Sequence, residues 1–172
     1  QVVNYIKDEA VLRCQNSYYC PAQQKAAINH FVSKSCLDVD GFGEKLVEQL
    51  INKNIISNLS DIFYLKFNDL ISLDRMAEKS ANNILNAIKK SKEIDLWRFI
   101  NGLGIKNIGQ NASKILAKKF KKINNLYNLS IDDLLEINEF GDIMSNSIID
   151  FFNNQRNINT INRCLESGLK LK

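Results

Sequence analysis

Apolar residues recur along this chain at helical spacing. Between Gln23 and Ser33 they fall at Ala27, Ile28, Phe31 and Val32; between Lys79 and Lys90 at Ile84, Leu85 and Ile88; between Gln110 and Phe120 at Ala112, Ile115, Leu116 and Phe120. Spacings of three and four residues collect such side chains on one face of an α-helix, so each stretch predicts an amphipathic helix in need of a partner. Strand-like alternation is confined to the first dozen residues, where 2–6 and 10–12 predict a short hairpin. Ser60 and Ser130 open the segments Ser-Asp-Ile-Phe-Tyr-Leu and Ser-Ile-Asp-Asp-Leu-Leu. A hydroxyl at the N-cap with acid in the first turn predicts a short connector helix at each. With a single proline in 172 residues, the predicted class is all-α, short helices joined by tight turns.

Four stretches lie over one another as an internal repeat. They are Gly41-Phe42-Gly43-Glu44-Lys45-Leu46-Val47, Arg75-Met76-Ala77-Glu78-Lys79-Ser80-Ala81, Asn107-Ile108-Gly109-Gln110-Asn111-Ala112-Ser113 and Glu139-Phe140-Gly141-Asp142-Ile143-Met144-Ser145. In each, an apolar residue (Phe42, Met76, Ile108, Phe140) precedes Gly or Ala, and seven residues beyond that anchor stands Leu50, Ile84, Leu116 or Ile148. The anchors Gly43, Ala77, Gly109 and Gly141 are 34, 32 and 32 residues apart. The predicted unit is a helix, a hairpin turn with one buried apolar side chain, and a second helix starting at or just after the glycine. Four units make two pairs.

A small residue there is expected to let the backbone turn sharply and come close to whatever lies outside. Backbone N–H groups beside a helix N-terminus favour a phosphate oxygen through hydrogen bonds and the helix dipole together. The pattern is that of the helix-hairpin-helix, and four copies predict binding to the backbone of nucleic acid. Such contacts read duplex shape and charge rather than bases. The candidate contact residues are Gly41, Phe42, Gly43 and Lys45; Arg75, Met76 and Lys79; Lys106, Asn107, Gly109 and Asn111; and Phe140 and Gly141. Lys45 and Lys79 stand two residues into their second helices, and Arg75 and Lys106 just before their turns. Where Ala77 replaces glycine, a corner of a helical bundle stands beside the phosphate reading. The run Lys118, Lys119, Lys121, Lys122 reads as a solvated face at a helix end.

Composition narrows the classes. The chain is 45% hydrophobic and 24% charged, with a net charge of +4, a globular balance leaning mildly toward acidic partners. No apolar run approaches the roughly 18 residues that span a bilayer, and Gln1 to Asp8 lacks the apolar region of a signal peptide, so no membrane association and a cytoplasmic location are expected. The four cysteines, 14, 20, 36 and 164, are too unevenly spaced for a disulfide scaffold. Cys14 and Cys20 look like half of a tetrahedral zinc site, which needs four ligands. Cys36, Cys164 and the single histidine, His30, read as buried residues in an apolar role, His30 having no evident partner. Trp97, among Leu96, Arg98, Phe99 and Ile100, reads as core.

Arg13-Cys14 through Cys20-Pro21-Ala22-Gln23, then His30-Phe31-Val32-Ser33, Leu37 to Gly43, Glu78 to Asn83 and Leu103-Gly104-Ile105 together resemble, in order, the zinc-finger and helix-hairpin-helix region of bacterial NAD-dependent DNA ligases. The resemblance implies a partial zinc finger over 1–22 and a tandem helix-hairpin-helix domain over 23–172. It matches Cys14 and Cys20 to the second pair of the family's four zinc ligands and places the first pair upstream of Gln1, so the chain is expected to be a fragment. Two thiolates alone make a poor structural site, and a Cys14–Cys20 disulfide or two free thiols stand equally open. The parent activity implied is joining of 3′-hydroxyl and 5′-phosphate ends at nicks in double-stranded DNA, in replication and repair, with NAD and magnesium bound by other domains of the same ligase. A bacterial, nucleoid-associated location is implied with it. The family's adenylated lysine sits in Lys-x-Asp-Gly. The one Asp-Gly here, Asp40-Gly41, has no such lysine before it, so no catalytic or cofactor-binding residue is assigned. Two other readings are a helix-hairpin-helix scaffold of another repair protein, against which Cys20-Pro21-Ala22-Gln23 argues, and a helical protein-interaction domain with structural corners.

Overall fold

The computed structural model describes residues 20–172 throughout and, before them, two strands. β1 (Val3–Tyr5) and β2 (Leu12–Cys14) pair antiparallel with Val3 opposite Cys14. From there the architecture is helical. α1 (Pro21–Val32) and α2 (Glu44–Asn52) form the first hairpin, α3 (Phe67–Ile71) and α4 (Glu78–Lys90) the second, α5 (Leu96–Gly102) and α6 (Gln110–Phe120) the third, α7 (Ile131–Leu135) and α8 (Asp142–Asn153) the fourth. Short 3-10 turns, Leu59–Tyr64 and Ile123–Leu126, connect the hairpins within each pair, and α9 (Gln155–Glu166) closes the chain. The fold is the predicted all-α tandem of four hairpins.

The repeat period is the period of burial. Four residues beyond each anchor, Val47, Ala81, Ser113 and Ser145 are wholly enclosed, and seven beyond, Leu50, Ile84, Leu116 and Ile148 are buried. Position four is small in three of the four units, on the enclosed side of the second helix, where close packing leaves no room for a large side chain. Within each pair the turn of one hairpin touches the second helix of the other. A Cβ at Gly41 would lie 3.5 Å from Ile84 on α4, and Asn107 Nδ2 donates to Ser147 Oγ on α8 at 3.0 Å.

The two pairs share one core. Phe31 of α1 is fully buried and packs edge-on against Phe63 of the first connector and Phe99 of α5, each with centroids 6.1 Å away. At the same junction Gly102 admits Phe31 so closely that a Cβ there would sit 2.9 Å from its ring. The C-terminal segment ties the pairs a second time. Arg163 of α9 reaches Asp61 and Ser60 of the first connector and stacks 4.3 Å over Tyr64, whose hydroxyl donates to Arg163 O at 2.9 Å. β4 (Lys170–Leu171) then lies parallel to β3 (Glu93–Ile94), just ahead of α5. This pairing carries no alternation signal in so short a strand.

Ser130 caps α7 as expected, in a capping box with Asp133. The first connector departs from expectation. Its cap is Asn58, and Ser60 is buried inside the turn, donating to Asn58 Oδ1 and accepting from Arg163. The long-range arginine draws Ser60 inward, which its local sequence does not encode.

Candidate nucleic-acid interface

Each hairpin delivers its anchor to the N-cap of a second helix. Gly43, Ala77, Gly109 and Gly141 are all exposed and all extended, with φ between −83° and −94°. Among the described residues no side chain caps any of the four helices. Their first-turn N–H groups, which have no intrahelical acceptor, open outward beside the positive end of the dipole. The carbonyls of the anchors are used internally, accepting from Val47, Ala81, Ser113 and Ser145.

This geometry corrects the sharp-turn account of the glycines. An extended φ suits any residue, and Ala77 holds it without strain. The left-handed residue comes two positions earlier: Gly41 at φ 79°, Arg75 at 58° and Asn107 at 65°, while Glu139 in the fourth turn is not left-handed. Nor does the interior require glycine at the anchors, since among the described residues a Cβ at Gly43, Gly109 or Gly141 would meet nothing within 4 Å. What glycine provides is a bare backbone facing outward, which a phosphate can approach more closely than a side chain would permit.

The predicted contact residues divide by exposure. Lys45, Arg75, Lys79, Lys106, Asn107 and Asn111 are exposed around the turns. Lys45, Arg75 and Lys79 make no ion pair among the described residues, and each stands beside an uncapped N-terminus. Phe42, Ile108 and Phe140 are buried and Met76 is half-buried. Their side chains hold the turn to the core, and only their backbone is offered outside. Lys119, read as solvated, turns instead toward α7, donating to Asp133 O at 3.3 Å and lying 3.8 Å from Glu136.

The structure also overturns the reading of His30 as a buried residue without a partner: its side chain is exposed at the end of α1 and is hydrogen-bonded. Its Nε2 donates to Asn101 O at 2.7 Å and lies 3.6 Å from Cys36 Sγ, which accepts from Asn101 Nδ2 at 3.3 Å. Six residues of sequence and a turn hide that pairing. The hydrogen bond with Cys36 is the largest influence on His30 and, against desolvation, pushes the imidazole up to about 9. Burial alone would raise the Cys36 thiol, but hydrogen bonds from His30, Ser33 and Ser35 outweigh it and leave it below its ordinary value. Cys36 is completely enclosed, and Arg98 Nη1 donates to Lys34 O and Cys36 O at 2.9 and 3.1 Å, so the group is a joint between α5 and the chain after α1.

Cys164 keeps its apolar role, burial pushing its thiol up to about 12. Trp97 is only half-buried, with Lys114 Nζ 4.7 Å and the Arg98 guanidinium 5.1 Å from its ring. Of the expected zinc pair, Cys20 is buried at the N-cap of α1, and the Cys14 side chain lies outside the described residues. Among the described residues no group of three or more His, Cys, Asp or Glu is placed to hold a metal, and no helix is long and apolar enough to cross a membrane.

Fold and turn geometry together define a tandem helix-hairpin-helix protein. The family model described as helix-hairpin-helix motif matches residues 98–161, the third and fourth hairpins and the start of α9. Across nearly its whole length the chain is similar to DNA ligases. It is 46% identical over 167 residues to the DNA ligase of Clostridioides difficile (strain 630), covering 97% of this chain and 25% of that protein. It is 42% identical over 164 residues to the DNA ligase of Halothermothrix orenii, covering 95% of this chain and 24% of that protein. The chain thus spans about a quarter of the length of these relatives.

Proposed function

We propose that this chain is the DNA-gripping portion of an NAD-dependent DNA ligase, holding a nicked duplex by its phosphates while other parts of the enzyme join the 3′-hydroxyl and 5′-phosphate ends. The observation that carries this is at the anchors: the uncapped N-termini of α2 and α6 bear a glycine, Gly43 and Gly109, that neither backbone conformation nor internal packing requires. An outward bare backbone beside a helix dipole suits an anion at close range. Neutral N–H groups supply the geometry, and Lys45, Arg75, Lys79 and Lys106 supply charge. The grip is indifferent to sequence, because phosphates carry no base information.

The role is one of orientation, keeping the two ends in line. The lysine that accepts AMP, the NAD site and the magnesium belong on this reading to other parts of the ligase, as does completion of a zinc site around Cys14 and Cys20. Of that pair only the Cys20 side chain is described, so no step is routed through a metal. Action in replication and repair within the bacterial cytoplasm, at the nucleoid, follows from the same proposal.

Fluorescence anisotropy with a labelled nicked duplex, the intact duplex and a single strand, across a salt series, tests it. The duplexes bind and the single strand is weaker. Replacing Lys45, Arg75, Lys79 or Lys106 by Ala lowers the slope of log K against log salt by about 0.9 for each cation that meets a phosphate. Absence of duplex binding at low salt, or slopes that none of the four replacements changes, overturns the reading.

A further inference from the structure

The four hairpins share an extended, uncapped anchor but not a surface. In the third, residues 104–111 carry Lys106 and no acid, and α6 alone of the four second helices, α2, α4, α6 and α8, starts without a carboxylate in its first turn among residues the hairpins would bring to DNA. In the fourth, the equivalent residues 136–143 carry Glu136, Glu139 and Asp142 and no base. Where the other hairpins place Lys45, Lys79 or Asn111 two residues beyond the anchor, the fourth places Ile143, which is 73% exposed. A phosphate approaching Gly141 meets carboxylates and an apolar side chain, and like charges in close apposition oppose contact.

The same helix nevertheless serves its neighbour. Asn107, left-handed at φ 65° immediately before Ile108 and Gly109, donates from Nδ2 to Ser147 Oγ at 3.0 Å, and Ser147 Oγ donates to Ile143 O at 2.9 Å. A non-glycine residue in that conformation persists where its surroundings hold it, and α8 supplies the hold.

We propose that the second hairpin pair is divided in function: the third hairpin grips the duplex, and the fourth is its brace, with Ser147 positioning Asn107 while Gly141 takes no phosphate. This rests on the reading of the hairpins as phosphate grips, and the test separates the two. Gly109→Val and Gly141→Val both place a side chain in open space on an extended backbone, and thermal melting verifies that each folds. Binding of the full chain to a labelled nicked duplex is then compared. Gly109→Val lowers affinity by about tenfold or more, the scale of a lost hydrogen bond to a charged group, and Gly141→Val leaves it within about twofold.

Ser147→Ala weakens binding by about threefold to tenfold, the range of one hydrogen bond; Ser147→Thr, which keeps the hydroxyl, restores it; and Ser147→Ala adds nothing in the Gly109→Val background, as coupled sites require. Loss at Gly141→Val equal to that at Gly109→Val overturns the division while leaving the grip reading standing. Wild-type binding by both glycine variants overturns the grip reading and the division with it. A silent Ser147→Ala, or one that Thr fails to rescue, overturns the brace.

Discussion

Gly102 is the position where one methyl group should do the most damage. It ends α5 against Phe31, and a Cβ there would stand 2.9 Å from Phe31 Cδ2, 3.3 Å from Cε2 and 3.4 Å from Cys36 Cβ. The first of these cannot stand without movement. Phe31 has little room to retreat, since Phe63 and Phe99 abut it, each with centroids at 6.1 Å, and Cys36 is held by Asn101. Overpacking of this kind costs about 1–3 kcal/mol, offset by about 0.5–1 kcal/mol because alanine is the better helix former. The net for Gly102→Ala is a loss of about 1–2 kcal/mol, and at about 2–4 °C per kcal/mol for a chain of this size the melting temperature falls by about 2–8 °C. Differential scanning calorimetry measures it. Gly109→Ser is the control, because its Cβ enters open space and serine caps a helix at least as well as glycine; it melts with the wild type. A Gly102→Ala protein within 1 °C of wild type, at about the resolution of one small packing change, would refute the claim that α1 and α5 touch through a gap only hydrogen can fill.

Two further outcomes follow from polar groups at the helix contacts. His30 is the only histidine, so its ring proton resonance isolates one titration; it should move with a midpoint near 9 and not at its ordinary 6.5, and Cys36→Ala should return it toward the ordinary value. The raised imidazole contributes stability below 6.5 that is lost as pH rises through about 9, whereas the lowered Cys36 contributes above its unfolded value and loses it as pH falls. Where the native pair is imidazolium and thiolate, and the unfolded pair imidazole and thiol, proton counts match and stability is flat with pH; a wild-type midpoint at 6.5 refutes the pairing. Among the described residues Ser145 Oγ is buried without a hydrogen-bond partner at the place where the second hairpin has Ala81, so Ser145→Ala should stabilise by about 1 kcal/mol, the cost of an unsatisfied hydroxyl. A urea midpoint that falls contradicts it.

The four-hairpin plan was legible in the chain because the repeat is carried by local physics. An apolar residue before each anchor, a small residue at it and an apolar residue seven beyond are what one turn and one helix face need, and Phe42, Ile108, Leu50, Leu116 and Ile148 are buried as that period requires. The cations at the turns were readable for the same reason, since Lys45 and Lys79 sit beside their own helix ends. What the sequence could not disclose is what distant segments do to one another. The purpose of glycine at 43 and 109 depends on the empty space before it, and the partnership of His30 with Cys36 depends on Asn101, 71 residues away. The capture of Ser60 by Arg163 and the bracing of Asn107 by Ser147 are likewise tertiary. Periodicity records which face of a helix is buried; only the packed chain decides which groups meet there, because hydrogen bonds and close contacts form between surfaces whose separation along the sequence leaves no local trace.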